Sequence, residues 1–358
     1  MTQGKLFLSE TGRIVFAAVV ALVVALVIIF FASKTPLETF QLLLTAPLSS
    51  KRTIGTWIDD SAKLALAGLA FSLVFQARQF ALGVQGQVYV GGLVAAAIAL
   101  SPLGYSWLSI PLGAAAAMLA GAFLGFIPGY AKAKLNANEI VSSLMLNYIA
   151  YDFTNLILRL YLASPKAGFT ASDSFPPSAV YPAFVPRTRI DLGLVLALVA
   201  VGVVWFLLYR TAWGLKLRLT GHNARFAAYA GIRSNFIMVS AMTASGAIGG
   251  LLGALFVQGT GFAKIAIGFE AGLSFEGILI AIVARNRPLA IPFVALGYGY
   301  LRQGAQLMGY RSDVPAEVIG IVQGVVILLV ASSFTVPGRA FLNRLMGGGN
   351  AAARATTS

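Results

Sequence analysis

The chain has 358 residues, of which 58% are hydrophobic and only 11% are charged, and its mean hydropathy is +0.83. Soluble globular domains carry about 25% charged residues, so this composition excludes an ordinary soluble domain and predicts an all-α, polytopic membrane protein. The chain has no cysteine, which excludes disulfides, cysteine zinc sites and thiol nucleophiles. Its net charge of +14 is spread between apolar spans, which indicates membrane topology rather than nucleic-acid binding.

About ten apolar spans are predicted, some of them broken by glycines. Residues 1–13 form an N-terminal arm, residues 14–336 form the transmembrane domain, and residues 337–358 form a tail whose composition is typical of disorder. A small interfacial helix is expected at 37–44 and a proline-rich surface excursion at 164–191. The predicted spans are 14–32, 61–77, 80–100, 109–130, 140–162, 191–209, 237–257, 273–284, 289–307 and 317–335.

The distribution of charge predicts the orientation of the chain. Ten spans place both termini on one side, and the loops of that side are rich in Lys and Arg but have only Glu10 and Glu139 as acids. The loops of the other side carry acids and bases in nearly equal number. By the positive-inside rule, both termini and the loop 210–236 are therefore expected in the cytoplasm.

Two segments, 83–92 and 259–277, combine several glycines with polar side chains. Glycine permits either an unwound backbone or close helix packing, and a polar side chain within a span is costly unless it faces protein or water. The two segments occupy roughly corresponding places in the two halves of the chain, which predicts a transport site built from broken helices. For any one of these glycines, a tight helix crossing without a ligand is an equally good interpretation.

The candidate pathway residues are polar side chains in these segments and in the fifth span: Gln85, Gln87, Asn147 and Glu276. Amides beside aromatic rings suit a neutral, hydroxylated, ring-bearing solute, through hydrogen bonds and stacking. A nucleoside or a pentose has this chemistry. An amino acid would need paired charges, which this predicted lining does not offer.

The loop 210–236 carries five basic residues and no acid. Asn223 is a good N-cap, residues 224–230 are mostly helix formers and Gly231 suits the C′ position, so a very short helix is predicted. Seven residues rise only about 10 Å, too little to cross a bilayer, so this helix is expected at the membrane surface. A solvated turn whose charges only set topology is the alternative. The residues predicted to dock a cytoplasmic partner are Gly221, Asn223, Arg225, Phe226, Tyr229 and Gly231.

No motif in the sequence indicates catalysis or metal binding by this chain. There is no GxxxxGK[ST] motif and no long soluble stretch that could form a nucleotide domain, so energy for transport would come from another subunit or an ion gradient. His222 is the only histidine and has no second ligand residue nearby, so no metal site is expected. No catalytic residue and no cofactor are assigned to the chain.

Four stretches resemble a known family: LVFQARQFALGVQGQVYVGGL at 73–93, NANEIVSSLMLNYIA at 136–150, GLKLRLTGHNARFAAYAGI at 214–232 and SFEGILIAIVARNRPLAI at 274–291. They are similar to permease subunits of ATP-binding-cassette importers in the ribose and branched-chain amino acid permease superfamily. Within it, the stretches most resemble nucleoside and simple-sugar permeases that work with basic-membrane-protein-type binding lipoproteins. The resemblance covers most of residues 60–335.

The resemblance implies a heteromeric importer in the bacterial cytoplasmic (inner) membrane. Its other parts are a second permease subunit, either a copy or a paralogue, two cytoplasmic ATPases that bind ATP, and an extracytoplasmic solute-binding lipoprotein. In this family a coupling helix seats in a groove on the ATPase, and residues 221–231 match it. The implied solute is a nucleoside or a related simple sugar, with ribose-type sugars and branched-chain amino acids as alternatives.

An ion-coupled secondary transporter is the leading interpretation from another class. Such carriers need acids within the membrane, and Asp152, Glu270 and Glu276 could serve. Against it, Glu270 and Glu276 are predicted near the outer end of a span. Asp152 shares a predicted helix face with Asn155 and Arg159, which predicts a neutralised structural pair. A facilitative channel is a third interpretation.

Overall fold

The computed structural model describes residues 23–24, 26–165, 168–312, 314, 320–321 and 324. The predicted arm 1–13 and the tail 337–358 lie outside the described residues. So do about half of the predicted span 14–32 and all but three residues of the predicted span 317–335. The chain divides into two compact units, one of residues 45–303 and one of the residues before and after it.

The described residues are mostly helical and contain no β-strand, only isolated bridges. Of the helices described, α4, α6 and α9 are each long and apolar enough to cross a membrane, and α3 and α10 are shorter apolar helices. The chain is therefore an all-α, polytopic membrane protein, as its composition predicts. Besides the helical residues 26–32, the helices are α1 (Pro36–Thr45), α2 (Lys51–Gln76), α3 (Val84–Leu100), α4 (Ser109–Leu135), α5 (Glu139–Ile157), α6 (Leu192–Arg210), α7 (Ala212–His222), α8 (Ala224–Tyr229), α9 (Ser234–Gln258), α10 (Leu273–Val283) and α11 (Ile291–Arg311).

Several helices extend beyond the predicted spans because of local capping. α2 begins at Lys51 rather than at 61, since Ser50 and Thr53 form a capping box in which each side chain accepts the other's backbone N–H. α4 continues through Pro128 to Leu135, beyond the predicted end of the fourth span at residue 130, and includes Lys132 and Lys134. The turn that follows is only residues 136–138, and it ends at a side-chain cap on α5.

The centre of the unit 45–303 is the crossing of α3, α4 and α9, where glycines bring backbones into contact. A Cβ added to Gly91 on α3 would lie 2.6 Å from the Cα of Gly250 on α9. A Cβ on Gly121 of α4 would overlap the carbonyl oxygen of Gly246. In lipid, helices associate through such close packing rather than through exclusion of water, so these glycines fix the arrangement of the three helices.

The first glycine-rich segment is helical from Val84 onward, and its glycines serve close packing. The second is different, because residues 259–272 are not a continuous helix and α10 begins only at Leu273. The 11 residues of α10 rise about 16 Å, roughly half of a 30 Å hydrocarbon layer. The predicted eighth span, 273–284, is therefore this short helix, and the non-helical residues 259–272 precede it in the chain.

This non-helical chain runs down the side of α3. It starts near Ile265, whose carbonyl accepts the N–H of Ser172 in the long excursion at 2.8 Å. The Phe269 ring then packs over Gly92 at the midpoint of α3, and Glu270 reaches Gln85 in the first turn of α3. Glu270 therefore lies deep along the helix and not near an outer end, which corrects the prediction for this residue.

Candidate coupling surface and translocation pathway

The loop 210–236 folds into two consecutive helices, α7 and α8, where the sequence predicted only the second. The Thr211 hydroxyl caps α7 by accepting the N–H of Gly214 at 3.2 Å. Near the other end of α7, Gly221 lies against the carbonyl of Gln76, and a Cβ there would overlap that oxygen. Gly221 thus lets the loop contact the end of α2, which connects the surface helices to a helix of the core.

The two ends of α8 are capped as the sequence predicted. The Asn223 carboxamide oxygen accepts the N–H groups of Arg225 and Phe226 at 3.0 and 3.1 Å. At the other end, Gly231 has a left-handed φ of +76°. The N–H of Gly231 bonds Ala228 and that of Ile232 bonds Ala227, which is the Schellman pattern of a helix C-terminus. α8 is therefore a rigid single element although it has only six residues.

The surface of α8 is exposed and aromatic. Ala227 is buried and anchors the helix, whereas Phe226 is 59% and Tyr229 is 92% exposed. Large apolar side chains at such exposure mark a contact surface when they are clustered. Arg225 is also exposed beside them, and residues 210–236 contain no acid. α8 therefore presents two exposed aromatic rings on a positively charged surface.

Two of the four predicted pathway residues are buried inside the unit 45–303. Asn147 is 4% exposed; its oxygen accepts the Gly86 N–H at 2.9 Å and its nitrogen donates to the Leu82 carbonyl at 2.6 Å. The amide thereby satisfies the start of α3. Gln87 is also buried and packs against Gly249, beside a cavity of about 10 Å³. That volume has room for one water and not for a solute.

The other two predicted pathway residues are partly exposed. Glu276 accepts the Arg302 Nε–H through its Oε1 at 3.1 Å, and the same guanidinium reaches the Asp60 carboxylate at 3.3 Å. This charge network joins α2, α10 and α11. The Glu276 carboxylate is therefore held in an ion pair that has a structural role. Gln85 is half-buried, and its side-chain nitrogen donates to Glu270.

Glu270 is a functional candidate that the pathway prediction missed. It is 1% exposed, and its two oxygens accept from the Gln85 side chain at 2.5 Å and from the Ser274 N–H at 3.0 Å. No ion pair neutralises it among the described residues. Glu270 lies between Gly268 and Gly272, immediately before a short apolar helix. This position in the sequence indicates a residue that caps a half-helix within the membrane.

The predicted pairing of Asp152 with Arg159 is wrong. Both side chains are exposed on α5 and its continuation, and no ion pair joins them in the described part of the chain. Seven residues separate them, so their Cα atoms are about 10 Å apart along the helix axis, too far for the side chains to neutralise each other fully. Among the described residues, neither charge has an ion-pair partner.

The comparisons with known proteins agree with this architecture. Residues 53–331 match the model of the family described as branched-chain amino acid transport system, permease component. The chain belongs to this family. It is 33% identical over 285 residues to the guanosine ABC transporter permease protein NupP of Bacillus subtilis, covering 79% of this chain and 82% of the relative.

Two further relatives match over nearly their whole lengths. The nucleoside ABC transporter permease protein NupB of Lactococcus lactis is 27% identical over 332 residues, 89% of this chain and 90% of that protein. The glucose ABC transporter permease protein TsgB13 of Haloferax volcanii is also 27% identical over 332 residues, 90% of this chain and 87% of that protein. This permease is accordingly an integral membrane component of a transport system.

Proposed function

We propose that this permease forms half of the translocation pathway of an ATP-driven importer of nucleosides. Two of the relatives described above are named as nucleoside or guanosine permeases, and the more similar of them is 33% identical. A simple sugar is the second candidate solute, because the third relative is named as a glucose permease. ATP is bound and hydrolysed by a separate cytoplasmic subunit.

The observation that carries the ATP-driven assignment is the exposed, doubly capped α8. A helix with fixed ends loses little conformational entropy when it docks. Phe226 and Tyr229 supply apolar area, and aromatic side chains of this kind are enriched among residues that dominate binding energy. We therefore assign Gly221, Asn223, Arg225, Phe226, Tyr229 and Gly231 to coupling with the ATPase, Phe226 and Tyr229 by contact and the glycines and Asn223 by shaping the element.

The remaining parts of the importer follow from this assignment. A second permease subunit, either a copy or a paralogue, completes the pathway, and a solute-binding lipoprotein delivers the solute from the other face. Both termini and α8 lie on the cytoplasmic side of the bacterial inner membrane, in line with the excess of basic residues in those loops. Of the four predicted pathway residues, Gln85 is the best placed to meet a solute, because it is partly exposed and, unlike Glu276, is not held in an ion pair.

The direct test is uptake of labelled guanosine and uridine into cells that express the complete importer, with the ATPase either intact or inactivated. We expect uptake that requires the active ATPase and is reduced by unlabelled nucleosides but not by leucine. Uptake that persists with the inactive ATPase and stops when the proton or sodium gradient is dissipated would overturn the importer assignment. If glucose or ribose competes and nucleosides do not, the importer assignment stands and the assigned solute changes to a sugar.

The role of α8 is tested by Phe226→Asp. A carboxylate in an apolar groove is costly to desolvate, so we expect loss of ATPase assembly, measured by co-purification, and at least tenfold slower uptake. Ala228→Asp is the matched control, because it adds the same charge to an exposed position on another face of α8. Phe226→Leu keeps an apolar contact and should retain most activity. Normal assembly and uptake in a folded Phe226→Asp protein would contradict the assignment.

A further inference from the structure

Helix α5 and its π-helical continuation Leu158–Leu162 present three faces with the same spacing of four, three and four residues. One face is buried against the rest of the chain and consists of Ser143, Asn147, Ala150 and Thr154. A second face is exposed and wholly apolar, and it consists of Ile149, Phe153, Leu156 and Leu160. The third, called here the polar stripe, consists of Tyr148, Asp152, Asn155 and Arg159.

The polar stripe cannot face lipid. Tyr148, Asp152 and Arg159 are exposed and Asn155 is half-buried, so the part of the chain that the structure describes does not cover them. Asp152 lies about 20 Å along the axis from the start of α5, about two-thirds of the way across a 30 Å hydrocarbon layer that begins there. An unpaired charge at that depth costs about 3 kcal/mol or more in lipid. The apolar face beside it has the composition that lipid accepts.

A second, independent feature is an exposed turn in the segment that leads into α10. Ala271 is exposed and left-handed with φ +48°, and it follows Glu270 at the start of the half-helix α10. Non-helical backbone at membrane depth is tolerated only where it is buried in protein or lines a water-filled cavity. Since the described residues do not bury Ala271, this turn either lines water or is covered by another subunit.

Aromatic contacts join these two features. The Tyr151 ring, which lies between the buried face of α5 and the polar stripe, packs edge-on against Tyr89 at 5.0 Å between centroids. Tyr89 in turn packs against Phe269 at 5.1 Å. The rings of Tyr151, Tyr89 and Phe269 therefore pack α5 against the chain that leads into α10, so the polar stripe and the exposed turn belong to neighbouring elements.

We propose that the polar stripe of α5 and the turn at Ala271 form the wall of the aqueous solute pathway, and that the opposite wall belongs to the second membrane subunit. The stripe offers a phenol, a carboxylate, a carboxamide and a guanidinium in a vertical row, which suits the hydroxyl groups and ring edges of a nucleoside or sugar passing along it. This inference rests on the proposed function and names the surface that performs it.

A dry contact with the second subunit is a weaker explanation of the same stripe. In a dry interface each buried charge needs a partner with good geometry, since an unpaired one costs several kcal/mol. Asp152 and Arg159 cannot fully neutralise each other within the chain, so a dry interface would require both to find separate partners. Water in the pathway solvates both without such matching.

Cysteine accessibility tests the proposal, and the natural absence of cysteine makes every introduced thiol the only one in this chain. The variants Tyr148→Cys and Asn155→Cys probe the polar stripe. Phe153→Cys and Leu156→Cys are their controls on the apolar face of the same helix, and Leu156 lies within one residue of the depth of Asn155. The assembled importer, in native membranes opened from either side, is treated with a positively charged, membrane-impermeant methanethiosulfonate, and labelling of this chain is read by mass.

We expect the polar-stripe thiols to react at least tenfold faster than the control thiols, because the reactive thiolate forms only where water is present. We also expect guanosine or uridine to slow the reaction of the polar-stripe thiols alone. Equal rates on both faces, or faster labelling of Phe153→Cys and Leu156→Cys, would overturn the proposal. Unreactive polar-stripe thiols that cross-link to the second subunit would show a dry interface and overturn it as well.

The outcome is separable from that of the proposed function. Labelling reports exposure to water and needs neither ATP nor knowledge of the solute. If the polar stripe is labelled but uptake proves independent of the ATPase, the wall stands and the importer assignment fails. If uptake depends on the ATPase but the two faces react equally, the wall fails and the importer stands. In each arm, a monodisperse elution profile of the variant shows that it is folded.

Discussion

The two glycine-rich segments of this permease have similar compositions but different structures. Residues 83–92 enter an unbroken helix, α3, and their glycines meet backbone atoms of neighbouring helices. In residues 259–272, Gly268 and Gly272 have nothing near a Cβ position but have left-handed φ values of +67° and +77°. In the first segment glycine is needed for space, and in the second it is needed for conformation.

This difference determines what each segment does. The close packing of α3 against α4 and α9 fixes the arrangement of these three helices at the centre of the unit. The left-handed residues Gly268 and Gly272 lie at the end of the non-helical segment, just before the half-helix α10. Between them, the chain is exposed at Ala271. A Gly-to-Ala substitution therefore destabilises the protein by a steric clash in the first segment and by backbone strain in the second. The size of the loss in stability distinguishes the two causes.

The largest effect is expected for Gly91→Ala. The added Cβ would lie 2.6 Å from both the Cα and the carbonyl oxygen of Gly250, and no flexible side chain is present to move away. Overpacking typically costs about 1–3 kcal/mol, and a clash with the backbone of Gly250 places this case at or above about 3 kcal/mol. We expect a strongly reduced yield of monodisperse protein in detergent and a lower apparent Tm.

The control for this substitution is Gly202→Ala. Gly202 lies within α6, is exposed, and has nothing within reach of an added Cβ. Alanine in a helix interior is favoured over glycine by about 1 kcal/mol, so this variant should be as stable as the parent or more stable. If Gly91→Ala matched Gly202→Ala in yield and Tm, the account of α3 as a backbone-packed helix would be wrong.

The second effect in size concerns Glu270, the residue that connects the two segments. Glu270→Ala leaves the buried Ser274 N–H without its acceptor, which costs about 1–3 kcal/mol, whereas the Gln85 amide, which also loses its acceptor, is only half-buried and costs less. We expect a fall in apparent Tm smaller than that of Gly91→Ala. Glu270→Gln keeps one acceptor oxygen and should recover part of the loss. Unchanged stability in Glu270→Ala would show that the half-helix does not depend on this cap.

The part of the fold that follows local rules was predictable from the sequence. Apolar spans of helical length, the Asn223 cap and the Gly231 terminus depend on residues close together in the chain, and the structure has them nearly where they were expected. The short α7 was missed because its basic residues resemble a solvated loop. Its anchor at Gly221 is a contact with Gln76, which no local pattern reveals.

The candidate pathway was harder to predict, for the same reason. Polarity alone favoured Asn147 and Gln87, but a polar side chain in a membrane protein is as often a structural hydrogen-bonding group as a pathway residue. Asn147 satisfies backbone groups at the start of α3, which depends on a contact across 61 residues of sequence. The polar stripe of α5 has a helical spacing visible in the sequence. Its exposure is a tertiary property and could not be read there.

A smaller effect is expected for Gly272→Ala. A left-handed conformation costs a non-glycine residue about 1–2 kcal/mol, and there is no steric clash to add to it. Gly272→Asn should cost less than Gly272→Ala, because asparagine tolerates this region better. The measurement is the apparent Tm of each variant beside Gly202→Ala. Equal costs for alanine and asparagine would contradict a conformational origin.

The smallest effect on stability is expected at Gly231, the surface counterpart of Gly272. It has the same left-handed backbone, at φ +76°, and nothing within reach of an added Cβ, but it ends an exposed helix instead of a membrane-embedded turn. Because a strained end on an exposed helix can fray at low cost, Gly231→Ala should lower the apparent Tm by less than Gly272→Ala does. Fraying of α8 should still weaken its docking, so we expect several-fold slower ATP-dependent uptake, with Gly231→Asn closer to the parent. A Gly231→Ala variant with full uptake would mean that the shape of the α8 terminus does not contribute to coupling, and the exposed aromatic rings alone would then have to account for it.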